Sequence, residues 1–230
     1  MEYMYLLVCV LLFIPWLIIF YSKNNLRNRM IKAGLMAAPF GIINMWFRLD
    51  YWNAPEIYLF YNLISIEDAI FGFITTGISV SIYDSIFTKE HIKFENSRHK
   101  IILLFLFIIF ASFFVLNNAM GVNSMFMFCI PLLVLTTYIT IIVRRDLLIP
   151  SLVTGVFCVL IAIPIYMFSF NYIAPDFWNT YWFLSGKKYG WTVFGNVPVL
   201  ELLWYFSWGS FSAVLYDYGK GTKKVVKKVF

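Results

Sequence analysis

The sequence predicts an all-α integral membrane protein: seven transmembrane helices, arranged as two parallel three-helix repeats joined by a linker helix. Composition is the first observation behind this fold class. Hydrophobic residues fill 61% of the 230 positions and charged residues only 13%, and the mean hydropathy is +0.78, far from the soluble range. Second, seven apolar runs approach or exceed the roughly 20 residues that a spanning helix needs. Third, one pattern occurs twice. Asp50-Tyr51-Trp52-Asn53, then Ile66-Glu67-Asp68, then Tyr83-Asp84 returns as Asp176-Phe177-Trp178-Asn179, Val199-Leu200-Glu201 and Tyr216-Asp217. The step from Asp68 to Asp84 and from Glu201 to Asp217 is the same 16 residues, the mark of a duplicated unit.

The runs are read at 4–21, 33–47, 61–83, 101–117, 124–143, 150–170 and 196–216. The first has only Glu2 ahead of it and a basic cluster behind it, the reverse of a signal peptide, and is expected to remain as an anchor. Pro39 and Pro164 sit at similar depth in the second and sixth runs, where kinks are expected. Runs one to three and five to seven form the copies, and run four inverts the chain between them, so the copies are parallel. The units are residues 1–100, 101–122 and 123–230, the last carrying a basic tail.

Fifteen of the 18 Lys and Arg residues follow runs one, three, five and seven, leaving Arg48, Lys187 and Lys188 on the other side. The positive-inside rule then puts the N-terminus outside and the tail in the cytoplasm of a cell-membrane protein. The net charge of +6 is thus a topology signal, and no nucleic-acid partner is expected. Thr88 to Lys100 reads as a solvated cytoplasmic loop rather than a functional pair of His91 and His99. In the second copy, Ser185-Gly186-Lys187-Lys188-Tyr189-Gly190 lengthens the outer loop. Cys9, Cys129 and Cys158 lie in apolar runs without metal-ligand spacing and read as packing residues. The stretch Gly219 to Lys224 lacks the strand and spacing of a phosphate loop, and no cofactor or metal is expected.

Carboxylates opening an apolar helix need a reason. Glu67, Asp68 and Glu201 stand at the outer mouths of runs three and seven. Each can be an N-terminal cap that complements the helix dipole. Two matched acids at one depth around one axis can equally face a common cavity, where differing surroundings would separate an acid from a base. Aromatic residues make up 21% of the chain. Trp204, Tyr205 and Trp208 share a helix face with Glu201, and Phe71 shares one with Asp68; ring faces there would attract a cation. Trp52 and Trp178, with Asn53 and Asn179 beside them, fit the same site, although Trp52, Trp178 and Trp182 also suit an interfacial belt. Asp50 and Asp176 suit either turn capping or a hydrogen bond across the site. Tyr83-Asp84 and Tyr216-Asp217 read as interfacial helix ends, roughly 24 Å from the outer acids at 1.5 Å per residue.

A three-helix unit used twice, with an acidic motif Pro-x-Glu-Glu opening its third helix after a Trp-containing loop, resembles the membrane-embedded lycopene cyclases. These occur as paired small subunits or as fused domains. The first copy reads Ser65-Ile66-Glu67-Asp68 and keeps both acids; the second reads Pro198-Val199-Leu200-Glu201 and keeps only the last. The resemblance implies an isomerase-type end-group cyclase acting on a linear carotenoid such as lycopene in membrane lipid. Glu67, Asp68 and Glu201 would be catalytic, and Trp52, Asn53, Phe71, Trp178, Asn179, Trp204, Tyr205 and Trp208 would contact substrate. A carboxylic acid protonates the terminal alkene, the cation closes a six-membered ring, and a carboxylate removes a proton, without net redox. A homo-oligomer is compatible with this.

Two parallel three-helix repeats with an inverting helix also describe sugar and vitamin carriers, in which the acids would bind a proton or a polar solute. A structural subunit without catalysis is the third reading.

Overall fold

The computed structural model describes residues 3–59, 64–87, 89–94, 96 and 99–226. It is mostly helical. Among the described residues, five helical stretches are long and apolar enough to cross a membrane: Met4–Ser22, Asn24–Asp50, Ile66–Phe87, Ser124–Val143 and Arg145–Ile173. They coincide with the first, second, third, fifth and sixth expected runs. The other two expected runs fall in helices of 22 residues each, α6 (His99–Met120) and α10 (Val199–Lys220).

Helix α1 (Met4–Ser22) stops at Lys23, whose backbone turns to φ −130°, ψ 78°, and a 3-10 turn at Asn24–Leu26 leads into α2 (Arg27–Ala37). Later in the chain α7 (Ser124–Tyr138) runs through a π-helical turn at Ile139–Val143 to Arg144. There the backbone takes φ −140°, ψ 76°, and a 3-10 turn at Arg145–Leu147 leads into α8 (Leu148–Met167). The two expected kink prolines act differently. Pro39 sits near the start of a 3-10 segment, Ala38–Ile43, that separates α2 from α3 (Asn44–Asp50); without an N–H it cannot continue the α-helical ladder. Pro164 stays inside α8, and the disturbance emerges just beyond it as a π-helical turn at Phe168–Ile173.

Before α4 (Ile66–Ser79) lies a two-stranded antiparallel ladder, β1 (Tyr58–Leu59) with β2 (Ile64–Ser65). Helix α4 is followed by the short α5 (Ile82–Phe87). Ahead of α10, after the short α9 (Phe177–Tyr181), stands a ladder of the same kind, β4 (Thr192–Val193) with β5 (Val197–Pro198). Helix α10 ends on Gly221, whose φ of +65° suits a residue without Cβ.

Helix α10 packs on α8, α7 and α4, while α4 packs on α2 and α1. The approach of α10 to α8 is close because small residues meet: a Cβ on Gly209 would lie 2.7 Å from Cys158 Sγ and 3.4 Å from Gly155 Cα. Cys9, Cys129 and Cys158 are all buried and unbridged. At one end of the bundle the two Trp-bearing loops bond to each other: Trp52 bridges Trp182, Asn53 N–H donates to Tyr181 O at 2.9 Å, and Phe183 N–H donates to Tyr51 O at 3.0 Å.

Two expectations change at the opposite end. Part of the stretch from Thr88 to Lys100, expected as a solvated loop, forms β3 (Lys89–Lys93), which pairs antiparallel with β6 (Thr222–Val226) of the tail. Backbone bonding to the tail replaces bonding to water. The side chains of His91 and His99 lie outside the described residues. Asp84 and Asp217, expected as interfacial ends, are fully buried. Arg29 Nη1 lies 2.8 Å from Asp217 Oδ1 and 3.6 Å from Asp84 Oδ2. Lys224 Nζ lies 2.8 Å from Asp84 Oδ1 and 3.1 Å from Asp217 Oδ2. The reason is neutralisation: two anions and two cations in mutual contact tolerate burial that one carboxylate alone would not.

Candidate active site

Asp68 and Glu201 line one cavity. It has a volume of about 90 Å³ and lies under the joined Trp loops, between α4 and α10. Asp68 is held by local sequence on one side and by distant donors on the other. Ser65 caps α4, its Oγ accepting the Asp68 N–H at 2.9 Å, which fixes the first turn. Asp68 Oδ1 accepts from the Tyr5 hydroxyl of α1 at 2.9 Å, and Oδ2 accepts from Asn44 Nδ2 at 2.9 Å with Arg48 Nη2 at 3.5 Å. Gly41 allows the 3-10 segment that carries Asn44 to come this close, since a Cβ there would lie 2.8 Å from the Asp68 Cβ.

Asn44 is the hub of this corner. The same Nδ2 donates to Glu56 Oε1 at 2.8 Å, and its Oδ1 accepts from Trp52 Nε1 at 3.1 Å. Arg48 also pairs with Glu56. Burial pushes the Glu56 carboxyl up to about 7 and the Asp68 charge adds to this, while Arg48 and the Asn44 amide oppose it. Glu56 and Asp68 thus form an acidic pair bridged by one amide and attended by one guanidinium.

Glu201 lies in the first turn of α10, three residues after its N-cap Pro198. Its Oε2 accepts from the Tyr166 hydroxyl of α8 at 2.8 Å, and the buried Tyr51 hydroxyl stands close by. Among the described residues no Lys or Arg forms an ion pair with it. Around it the walls are rings. Phe128 stacks on Trp204 with centroids 6.2 Å apart and on Trp208 at 5.8 Å. Phe71 meets Trp204 at 5.1 Å, Tyr166 stacks on Trp178 at 6.2 Å, and Trp52 meets Trp178 at 6.4 Å. Buried faces of this number form an environment that favours a positive charge in their midst.

Of the residues proposed from sequence, Asp68, Glu201, Trp52, Phe71, Trp178, Trp204 and Trp208 line this cavity. Tyr205 stands behind the wall, in edge contact with Phe71 at 5.9 Å and Tyr166 at 5.7 Å. Glu67 does not reach the cavity. It is buried, and both its carboxylate oxygens accept the Ile57 N–H at 3.1 Å, so its charge meets a loop amide rather than the hollow. One helical step of about 100° separates it from Asp68, which turns the two side chains apart. Asn53 and Asn179 are exposed; Asn179 Oδ1 accepts from Ser185 Oγ at 2.8 Å. Asp50 caps the start of α7, accepting from the Ser124 N–H at 2.8 Å and from Asn117 Nδ2 at 3.0 Å.

Tyr5, Asn44, Glu56, Phe128 and Tyr166 escaped the sequence reading. Asn44 carried a signal, being an amide within an apolar run. Tyr5, Phe128 and Tyr166 are aromatic residues among many others in such runs, and nothing local distinguishes them. No protein-family model, curated protein or solved structure matches this chain.

Proposed function

We propose that the chain is a membrane-embedded carotenoid end-group cyclase of the lycopene cyclase type, acting by acid-base carbocation chemistry without net redox. The observation that carries the reading is the meeting of Asp68 and Glu201 in one ring-walled cavity. Glu201, attended by tyrosine hydroxyls and rings, is the proton donor. It protonates the terminal alkene of a linear carotenoid, the neighbouring double bond closes onto the tertiary cation, and the indole and phenyl faces stabilise the charge. Asp68, attended by Asn44, Tyr5 and Arg48, takes the proton whose loss leaves the ring double bond. Substrate and product are isomers, so no redox partner is needed.

The reading includes seven membrane crossings, with the N-terminus outside and the tail cytoplasmic, and a duplicated three-helix unit. The duplication is supported by matching breaks at Lys23 and Arg144, each followed by a 3-10 turn. It is also supported by antiparallel ladders of equal size ahead of α4 and α10.

Expression in cells that accumulate lycopene tests the activity. Ring-bearing carotenoids are expected, and Glu201→Gln is expected to abolish them while leaving folded protein in the membrane. Unchanged lycopene beside well-folded wild-type protein would overturn the assignment. The second reading, a small-solute carrier, is favoured by the cluster of Arg29, Asp84, Asp217 and Lys224, which ties the two halves of the chain at one end as a closed gate would. Proton-coupled uptake of a polar solute into vesicles, in the absence of cyclisation, would select it.

A further inference from the structure

A second cavity, of about 140 Å³, lies between α2, α4 and α10 on the side of the molecule toward Lys220. It is not a separate feature. Ala37, Phe40 and Trp208 line both this cavity and the acid-bearing one, so the two hollows adjoin at a neck formed by these three side chains. Trp208 is fixed there, its Nε1 donating to Thr76 Oγ1 at 3.0 Å, which holds the indole against α4 between the two hollows. Beyond the neck the walls are Ala33, Val80, Phe211, Ser212 and Leu215, with Tyr216, Gly219 and Lys220 at the far end. No carboxylate lines it. Met36 stands at its edge and is 63% exposed, so the opening faces outward from the helix bundle rather than into its core.

We propose that this inner hollow is the binding channel for the long apolar tail of the substrate, continuous with the cavity where the end group reacts. The inference rests on the cyclase reading for the chemistry at the outer end, and on the shared residues for the adjacency of the two hollows. Helix α10 rises about 27 Å between Glu201 and Gly219 at 1.5 Å per residue. That is close to the roughly 30 Å of a bilayer's hydrocarbon core. An extended polyene whose end group sits beside Glu201 therefore runs along α10 with its opposite end near Lys220. Only one end occupies the acid site at a time. A carotenoid cyclised at both ends must leave and return reversed. Met36, flexible and unbranched, stands where an apolar chain entering sideways from lipid would pass.

The test uses the full chain purified in detergent from lycopene-accumulating cells, with bound pigment measured per protein by its absorption. Wild type is expected to carry lycopene or its cyclised product in near-stoichiometric amount. Ser212→Phe, which places a ring in the inner hollow, is expected to lower bound pigment about tenfold. Met36→Trp at the exposed edge, where folding is little at stake, is expected to lower it several-fold. In cells fed a lycopene-derived apocarotenal about half as long, cyclisation by both variants is expected to stay within about twofold of wild type. Wild-type protein that binds the polyene without cyclising it would end the cyclase reading and leave the channel standing. Pigment content unchanged in both variants, no pigment on wild type, or equal loss of long and short substrates would overturn the channel.

Discussion

The Asp68 carboxylate is met by three side-chain donors from the first half of the chain, Tyr5, Asn44 and Arg48, and shares Asn44 with a second acid, Glu56. The Glu201 carboxylate, opening a helix at the corresponding place, is met by Tyr166 in a wall of rings. The first corner is ionic and amide-rich; the second is phenolic and aromatic. On the proposed reading, the two helix starts keep an acid each while the surrounding residues divide the work. Surroundings rich in donors and a guanidinium suit a carboxylate that receives a proton, and surroundings of rings and hydroxyls suit a carboxylic acid that gives one.

Removal of each acid in turn separates the two corners most strongly. Glu201→Gln is expected to reduce ring formation by about 10³-fold, within the range for loss of a general acid, as read from carotenoid profiles of lycopene-fed membranes. Asp68→Asn is expected to cost about 10²-fold, because Glu56, which shares the Asn44 amide with Asp68, remains at the same corner. Equal, small losses in both would mean that the two corners do not carry the chemistry.

Glu56 sharpens the contrast through pH. Its carboxyl, pushed up to about 7 by burial and by Asp68, is neutral below that pH and leaves Arg48 to Asp68. As pH rises through about 7, Glu56 ionises and competes for the same guanidinium. Wild-type cyclisation in buffered membranes is therefore expected to fall on the alkaline side of about pH 7. In Glu56→Gln, which keeps the neutral form at all pH values, it is expected to stay flat. A profile that falls equally in both would detach Glu56 from the reaction.

Glu67→Gln gives the smallest expected effect, a change in activity of less than about threefold. The amide oxygen still accepts the Ile57 N–H, and a net hydrogen bond is worth only about 1 kcal/mol. A collapse of activity with intact folding would return Glu67 to the chemistry.

The sequence disclosed the acids through their repetition and the aromatic wall through its helical spacing. Both signals are local or periodic, and Asp68, Glu201, Trp204 and Trp208 all lie where they can be read. Asn44 and Glu56 owe their meeting with Asp68 to the 3-10 segment between α2 and α3, whose geometry depends on Pro39 and on the close approach at Gly41. Helical periodicity does not carry that information. Glu67 shows the opposite case: an acid beside Asp68, matching the motif, yet turned to a loop amide by a single residue step. The ion cluster at the opposite end from the Trp loops was hidden for a similar reason, since Arg29 and Asp217 are 188 residues apart, and Lys224 reaches Asp84 from β6, which pairs with β3.

That cluster bears on assembly. Arg29 and Asp84 come from the first half of the chain, Asp217 and Lys224 from the second, so each half contributes one charge of either sign and can enter lipid electrically balanced. In the finished fold the shortest contacts, Arg29 to Asp217 and Lys224 to Asp84, are the exchanged ones. Association of the halves thus adds a counterion from the other half to each ion while the pair within each half stays in contact, and a half deprived of its counterpart keeps a neutral, self-matched pair rather than a stranded ion.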